Sequence, residues 1–284
     1  MRSMHHIAVD RGEGLASYRA AVDYLRAGEA VGIFPEATIS RSMELKEFKT
    51  GAVRIAAEAG VPDGIYTTLH GLGEEAGAPL VQHPDVAVIS FTGSCDVGRW
   101  IAAEAGRRMA KVCLELGGKN PLIVCDDADL DLAVTWTLGS AFSNAGQRCA
   151  AGSRILVFDA VYDAFKAKLV AATQTLSVGT ADTDDFGPVI NEEQLTNMLA
   201  AVARASSAGA VVLTGGTRLT GGTYRRGYFV APTLIENVRP TDEISTSELF
   251  GPLTCLYRVS GFEEAIAIAN GSSDRKSTRL NSSH

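Results

Sequence analysis

A thiol, a carboxylate and several closely spaced glycines are the residues of this 284-residue chain whose types and spacing could do chemistry, and they lie between Phe91 and Cys149. They form short islands: Phe91-Thr92-Gly93-Ser94 with Gly98 just beyond, Glu115-Leu116-Gly117-Gly118-Lys119, and Gly146-Gln147-Arg148-Cys149. Glycines let backbone approach a ligand that a Cβ would hold off. Backbone amides at the start of a helix can then face a diphosphate. Glu115 beside the Gly117-Gly118 turn has room to move as a general base. Cys149 follows a helical segment and sits next to Arg148, where a cationic or helix-terminal neighbour can supply the thiolate that attacks a carbonyl. A base and a nucleophilic thiol are two halves of acyl-transfer chemistry. Each residue alone has a plainer reading. Cys149 could be a buried spectator, Glu115 a solvated strand end, and Gly93 an ordinary β–α connection, since its turn lacks the full G-x-G-x-x-G fingerprint.

Hydrophobic periodicity supplies the elements that position these groups. Val86 to Phe91 predicts a strand, Gly93 to Gly98 a turn, and Arg99 to Ala110 a helix. This order places a helix N-terminus against a pyrophosphate in dinucleotide sites. Lys111 to Leu116 and Pro121 to Val124 predict strands, Leu130 to Asn144 a helix, and Arg154 to Phe158 another strand. Val161 to Thr175 predicts an amphipathic helix with Val161, Phe165, Leu169 and Ala172 on one face. Helices over Glu192 to Ala208 and Phe262 to Asn270 flank a strand at Val211 to Leu213 and a solvated loop at Tyr224 to Arg226. Alternating strands and helices argue an open α/β layer. The acidic run Asp126, Asp127, Asp129 and Asp131 reads as a helix start, carboxylates favouring the positive end of the dipole. No metal site is expected.

In this order the islands resemble the signature of the NAD(P)-dependent aldehyde dehydrogenase superfamily, as does the spacing from Glu115 to Cys149. The resemblance continues in Phe186-Gly187-Pro188, in Gly227-Tyr228 with Pro232-Thr233, and in Glu248-Leu249-Phe250-Gly251-Pro252, and it covers roughly residues 63 to 273. It implies an α/β fold with a partial Rossmann-like cofactor domain (63–146) and a partial catalytic domain (147–273). It implies Cys149 as nucleophile and Glu115 as general base, acting on a small aldehyde with NAD or NADP. Gly93, Ser94, Gly98 and Leu116 would bind the cofactor, Gly93 and Ser94 at its diphosphate. Glu248 would hydrogen-bond the nicotinamide ribose and Phe250 would pack on the ring. Intact members of the family are homo-oligomers. The family's Trp-Asn oxyanion donor and the lysine that reads the adenosine ribose would lie upstream of residue 63, and its oligomerisation strands downstream of residue 273.

Residues 1 to 62 resemble a different family, the phospholipid/glycerol acyltransferases, as an unrelated α/β fragment. A helix over Leu15 to Arg26 and a strand over Ala30 to Phe34 lead into Phe34-Pro35-Glu36-Ala37-Thr38, close to that family's phosphate-binding strand end, with Ala37 for glycine and Ile39 for arginine. A second helix is expected over Gly51 to Ala59. His5 and Asp10 match the H-x-x-x-x-D spacing by chance if Asp10 belongs to the later Ala8-Val9-Asp10-Arg11 block, so the catalytic half is expected to be missing. The join falls within Ala56 to Pro62 with no flexible linker, which suggests an artificial junction. Residues 274 to 284 are polar and unpatterned and resemble a translated sequencing adapter, a non-native tail to be set aside.

Composition narrows the classes further. A net charge of −7 argues against a nucleic-acid surface, which needs a basic face. Apolar runs fall far short of the ~20 residues that span a bilayer. No apolar stretch near Met1 resembles a signal peptide, so a cytoplasmic location is expected. The 5 cysteines lack C-x-x-C spacing, and Cys95, Cys113, Cys125 and Cys255 read as small buried hydrophobes. The resulting expectation is an aldehyde dehydrogenase fragment, inactive as this chain. The alternatives are an acyltransferase fragment carried by residues 1 to 62, or a chimeric translation with no function of its own.

Overall fold

A computed structural model of the protein describes residues 14–28, 51–62, 65, 67 and 69–272. His5, Asp10, the expected strand at 30–34, the 34–38 motif and the 274–284 tail lie outside the described residues. The chain divides into two compact units between Pro79 and Leu80.

In the first unit, α1 (Gly14–Arg26) and α2 (Gly51–Glu58) match the expected helices. They pack through Ala21, Val22 and Ile55, with Tyr18, Leu25 and Ala59 at the edge. The Tyr18 hydroxyl donates to Glu58 at 2.8 Å, and Arg26 donates to the Glu58 carbonyl at 2.7 Å. A π-helical turn, Gly73–Gly77, follows, and the boundary between the units falls within α3 (Ala78–Gln82).

The second unit opens with a strand–turn–helix–strand: β1 (Val88–Gly93), α4 (Cys95–Arg107) and β2 (Lys111–Leu116). The strands pair in parallel, Thr92 opposite Glu115 and Gly93 opposite Leu116. The helix begins at Cys95, not Arg99, because the Ser94 hydroxyl accepts from the Val97 amide at 3.3 Å and caps it. Gly98 therefore lies inside the helix rather than in the turn. A Cβ there would run into the Leu116 side chain, so Gly98 lets α4 sit down on β2. This two-stranded sheet is thinly covered, with Val88 61% and Val112 40% exposed. Cys113, expected to be buried, is consequently exposed.

A five-stranded sheet follows in the order β3-β4-β7-β6-β5. Its strands are β3 (Asn120–Val124), β4 (Gly152–Phe158), β5 (Val211–Thr214), β6 (Thr233–Glu236) and β7 (Leu253–Val259). Every pair is parallel except β5–β6. The periodicity reading passes over β6 and β7, whose short, near-continuous apolar runs carry no alternation because both faces are covered. Helices α5 (Leu130–Phe142), α6 (Asp159–Gln174), α7 (Glu192–Ser207), α8 (Glu243–Thr246) and α9 (Phe262–Asn270) complete the unit. The core is continuous through Ile155, Leu156, Leu234, Ile235, Leu256 and Phe165.

Asp129 caps α5, its carboxylate accepting from the Asp131 and Leu132 amides at 3.0 and 3.1 Å, so the acidic run does start a helix. The buried face of α6 is Tyr162, Phe165, Leu169 and Thr173, one residue round from the expected stripe at Val161 and Ala172. Tyr224 lies in a 3-10 turn (Gly222–Arg225) and packs on Phe229 with ring centroids 5.2 Å apart, rather than in a solvated loop. Among the described residues no helix is long and apolar enough to cross a membrane, and no cluster of His, Cys, Asp or Glu side chains could hold a metal ion.

Candidate active site

Cys149 lies in the connection between α5 and β4. Helix α5 ends in a 3-10 turn, Ser143–Gly146, in which Asn144 and Ala145 both have φ of 54° and Gly146 has φ of +65°. A run of left-handed residues is costly and persists only where its surroundings hold it. The holding groups are specific. Gln147 accepts from the Ile190 amide at 2.8 Å and donates to the Pro188 carbonyl at 3.3 Å, which ties the turn to the Phe186-Gly187-Pro188 island. Arg148 turns back onto α5, donating to the Gly139 and Ser140 carbonyls at 3.0 and 2.9 Å. Its charge thus serves the helix C-terminus.

From the other side, Asn120 donates to the Cys149 carbonyl at 2.7 Å and to the Ala151 carbonyl at 3.1 Å. Just before it, Arg154, buried to 2% exposure, donates twice to the Lys119 carbonyl, at 2.9 and 2.7 Å. The same guanidinium reaches the Ile268 and Ala269 carbonyls at 2.8 and 3.0 Å, at the C-terminus of α9. Sequence reasoning missed both residues. The available signal was a cation inside the apolar strand Gly-Ser-Arg-Ile-Leu-Val-Phe, which is buried only when fully partnered.

The islands meet at their glycines. The Glu248 carboxylate lies against Gly117 so closely that a Cβ at Gly117 would overlap it, and the Gly251 carbonyl approaches Gly146 in the same way. Phe250, between them, has φ of 46° and is 40% exposed. A bulky side chain in that conformation is a genuine outlier. It is held by Gln194, which donates to the Leu249 carbonyl and, at 3.2 Å, to the Phe250 carbonyl. The Cys95 thiol, at the start of α4, lies 3.8 Å from the Gly117 carbonyl oxygen.

The segments carrying Cys149, Glu248 and Phe250 thus converge on the stretch 117–120, and Glu115 stands at its entrance, half-buried at the end of β2. Gly93 and Ser94 stand at the mouth of α4, while Gly98 and Leu116 pack against each other. Among the other thiols, Cys255 is buried, and burial pushes it up to about 11. A cavity of about 580 Å³ between the end of α6, the end of β5 and the Tyr224 turn contains none of these residues.

A family model, "Aldehyde dehydrogenase family", matches residues 48–282. The chain belongs to the aldehyde dehydrogenase family. It is 40% identical over 215 residues to the alpha-ketoglutaric semialdehyde dehydrogenase of Bacillus subtilis, covering 75% of this chain and 44% of that protein. It is 40% identical over 218 residues to betaine aldehyde dehydrogenase 1 of Oryza sativa, with 76% and 43% covered. Among solved structures, the betaine aldehyde dehydrogenase of Staphylococcus aureus in complex with NAD+ superposes with a TM-score of 0.76 at 35% identity, over 79% of this chain and 45% of that one. An NAD+ complex of an aldehyde dehydrogenase from Bacillus cereus gives 0.73 at 34% identity, over 78% and 45%. The chain therefore spans less than half the length of these relatives. A second model, "Acyltransferase", matches residues 1–66, and the two matches overlap over 48–66. The aldehyde dehydrogenase match extends beyond the expected limits of 63 and 273 at both ends.

Proposed function

We propose that Cys149 and Glu115 are the nucleophile and general base of an NAD(P)-dependent aldehyde dehydrogenase site, of which this chain carries part. The convergence of the Glu248 and Gly251 backbone and side-chain groups on Gly117 and Gly146, around a turn held from both sides, is the observation that carries the reading. The residues present fit a nicotinamide cofactor. Gly93 and Ser94 open the N-terminus of a 13-residue helix, a favourable place for a diphosphate. Glu248 and the exposed, strained Phe250 offer a ribose acceptor and a planar packing face. Gly98 serves helix packing and Leu116 lies beside it. The Cys149 thiolate adds to the carbonyl of a small aldehyde, giving a thiohemiacetal. A nicotinamide held by these residues would supply the hydride acceptor needed to oxidise this adduct to a thioester. Glu115, freed for movement by Gly117 and Gly118, takes a proton from the water that hydrolyses that thioester and releases the acid. The family-level expectation of a homo-oligomer attaches to the longer relatives.

Limiting iodoacetamide at neutral pH tests the nucleophile. Cys149 is expected to be labelled first, ahead of Cys113, with Cys255 unlabelled in the folded chain. Cys113 is the control for mere exposure. Its labelling before Cys149 would sink the assignment.

We also infer that residues 1–62 and 63–273 are pieces of two proteins, joined where both could supply Ala56 to Pro62, and that the 274–284 tail, although the family match reaches residue 282, is non-native. The overlap of the two family matches across 48–66 supports a join inside a shared stretch. Amplification from source DNA across Pro62-Asp63 and across Ser273-Asp274 is expected to give no product. A clean product spanning both would refute the junction.

A further inference from the structure

We propose that Asn120 is a positioning residue for Cys149, its side-chain amide fixing the orientation of the peptide that follows the thiol. The inference rests on the reading of Cys149 as nucleophile. Three carbonyl oxygens converge on the Asn120 Nδ2: Cys149 at 2.7 Å, Ala151 at 3.1 Å and Gly118 at 3.5 Å. Only a donor can sit among three carbonyls, so the amide nitrogen, not its oxygen, faces them. The Ala151 amide donates to the Arg148 carbonyl at 3.0 Å, closing a turn whose two corner residues are Cys149 and Ala150. Such a turn leaves the orientation of its central peptide soft. A trans peptide points its N–H opposite to its carbonyl. Holding the Cys149 carbonyl toward Asn120 therefore holds the Ala150 N–H away from it, and it fixes ψ of Cys149, the torsion that sets the thiol-bearing Cα–Cβ bond relative to that peptide. The anchor is itself rigid, because Asn120 opens β3 in register with Gly152 and follows the Lys119 carbonyl that Arg154 holds. Asn120 thus connects the glycine turn after Glu115 to the turn that carries the thiol.

Two reactions of the same thiolate separate positioning from simple access. Alkylation by iodoacetamide needs the thiolate and little else. Acylation by nitrophenyl acetate also needs the carbonyl held in line and its developing oxyanion met by fixed dipoles. The ratio of acylation to alkylation rate at Cys149 cancels the thiolate fraction and the folded fraction, which a merely structural role would move equally in both. For Asn120→Ala the ratio is expected to fall about tenfold or more, short of the roughly 10²-fold that a misplacement of about 1 Å costs. Asn120→Ser, which keeps a shorter donor, is expected to fall between the parent and the alanine variant. Should Asn120→Ala fail to fold, the serine variant alone carries the comparison, with a ratio still below the parent's. Labelled parent Cys149 with an unchanged ratio in the folded variants would overturn this inference alone. Absence of any Cys149 labelling in the parent would overturn the reading of Cys149 and this inference with it.

Discussion

With a panel of short aldehydes and either NAD or NADP, the 284-residue chain is expected to form no reduced cofactor above background, while hydrolysing nitrophenyl acetate slowly through Cys149. Hydride transfer needs the nicotinamide held in contact with the adduct, and a cofactor that is not held contributes none of its effective molarity. The described cofactor-side sheet has β1 and β2 alone, with Val88 and Val112 bare. Ester hydrolysis needs no bound cofactor and runs through the thiol, so Cys149→Ala is expected to remove it. Steady production of NADH or NADPH that disappears in Cys149→Ala would show that the chain holds a working site despite spanning under half the length of its relatives.

Gly146→Ala is expected to lower the stability of the second unit by about 2–4 kcal/mol, combining a left-handed alanine with overpacking against backbone. The new methyl would meet the Gly251 and Ala141 carbonyls, neither of which can move without disturbing its own element. The melting temperature should fall by roughly 5–10 °C for a unit of this size. Gly106→Ala is the matched control, since a Cβ there meets nothing within 4 Å and helix α4 gains a better former. It should leave the melt unchanged or raise it. Equal melting of Gly146→Ala and the parent would mean that the close approach of Gly251 to Gly146 does not exist in solution.

Much of this arrangement was legible in the sequence, for physical reasons that differ between elements. Helices with long periodic faces, such as α1, α6 and α7, were read to within a few residues because their burial repeats with the helix. Helix α4 starts four residues before the expected Arg99 because Ser94 caps it, a role that its glycine neighbours Gly93 and Gly98 obscure in the sequence. Strands β6 and β7 escaped because a strand covered on both faces has no alternation, and β7 follows directly on Glu248 to Pro252, which read as a binding motif. The islands of the site were legible as residue types, but not the reasons for their glycines. Gly98 accommodates Leu116, Gly117 accommodates Glu248, and Gly146 accommodates Gly251, three close approaches that only a fold reveals. Arg148, the thiol's neighbour in sequence, points away from it and closes the end of α5. Asn120 and Arg154 carry no motif at all and act through carbonyls distant in sequence.

The most direct measurement on the site is to mix the chain with nitrophenyl acetate, quench in acid within the first turnover, and locate the acetyl group by peptide mass spectrometry. A thioester on the Gly146-Gln147-Arg148-Cys149 peptide, absent from Cys149→Ala, is the expected result. An acetyl group found instead on Cys113, on Cys95 or on lysines, with Cys149 unmodified, would contradict the assignment of Cys149 as the nucleophile.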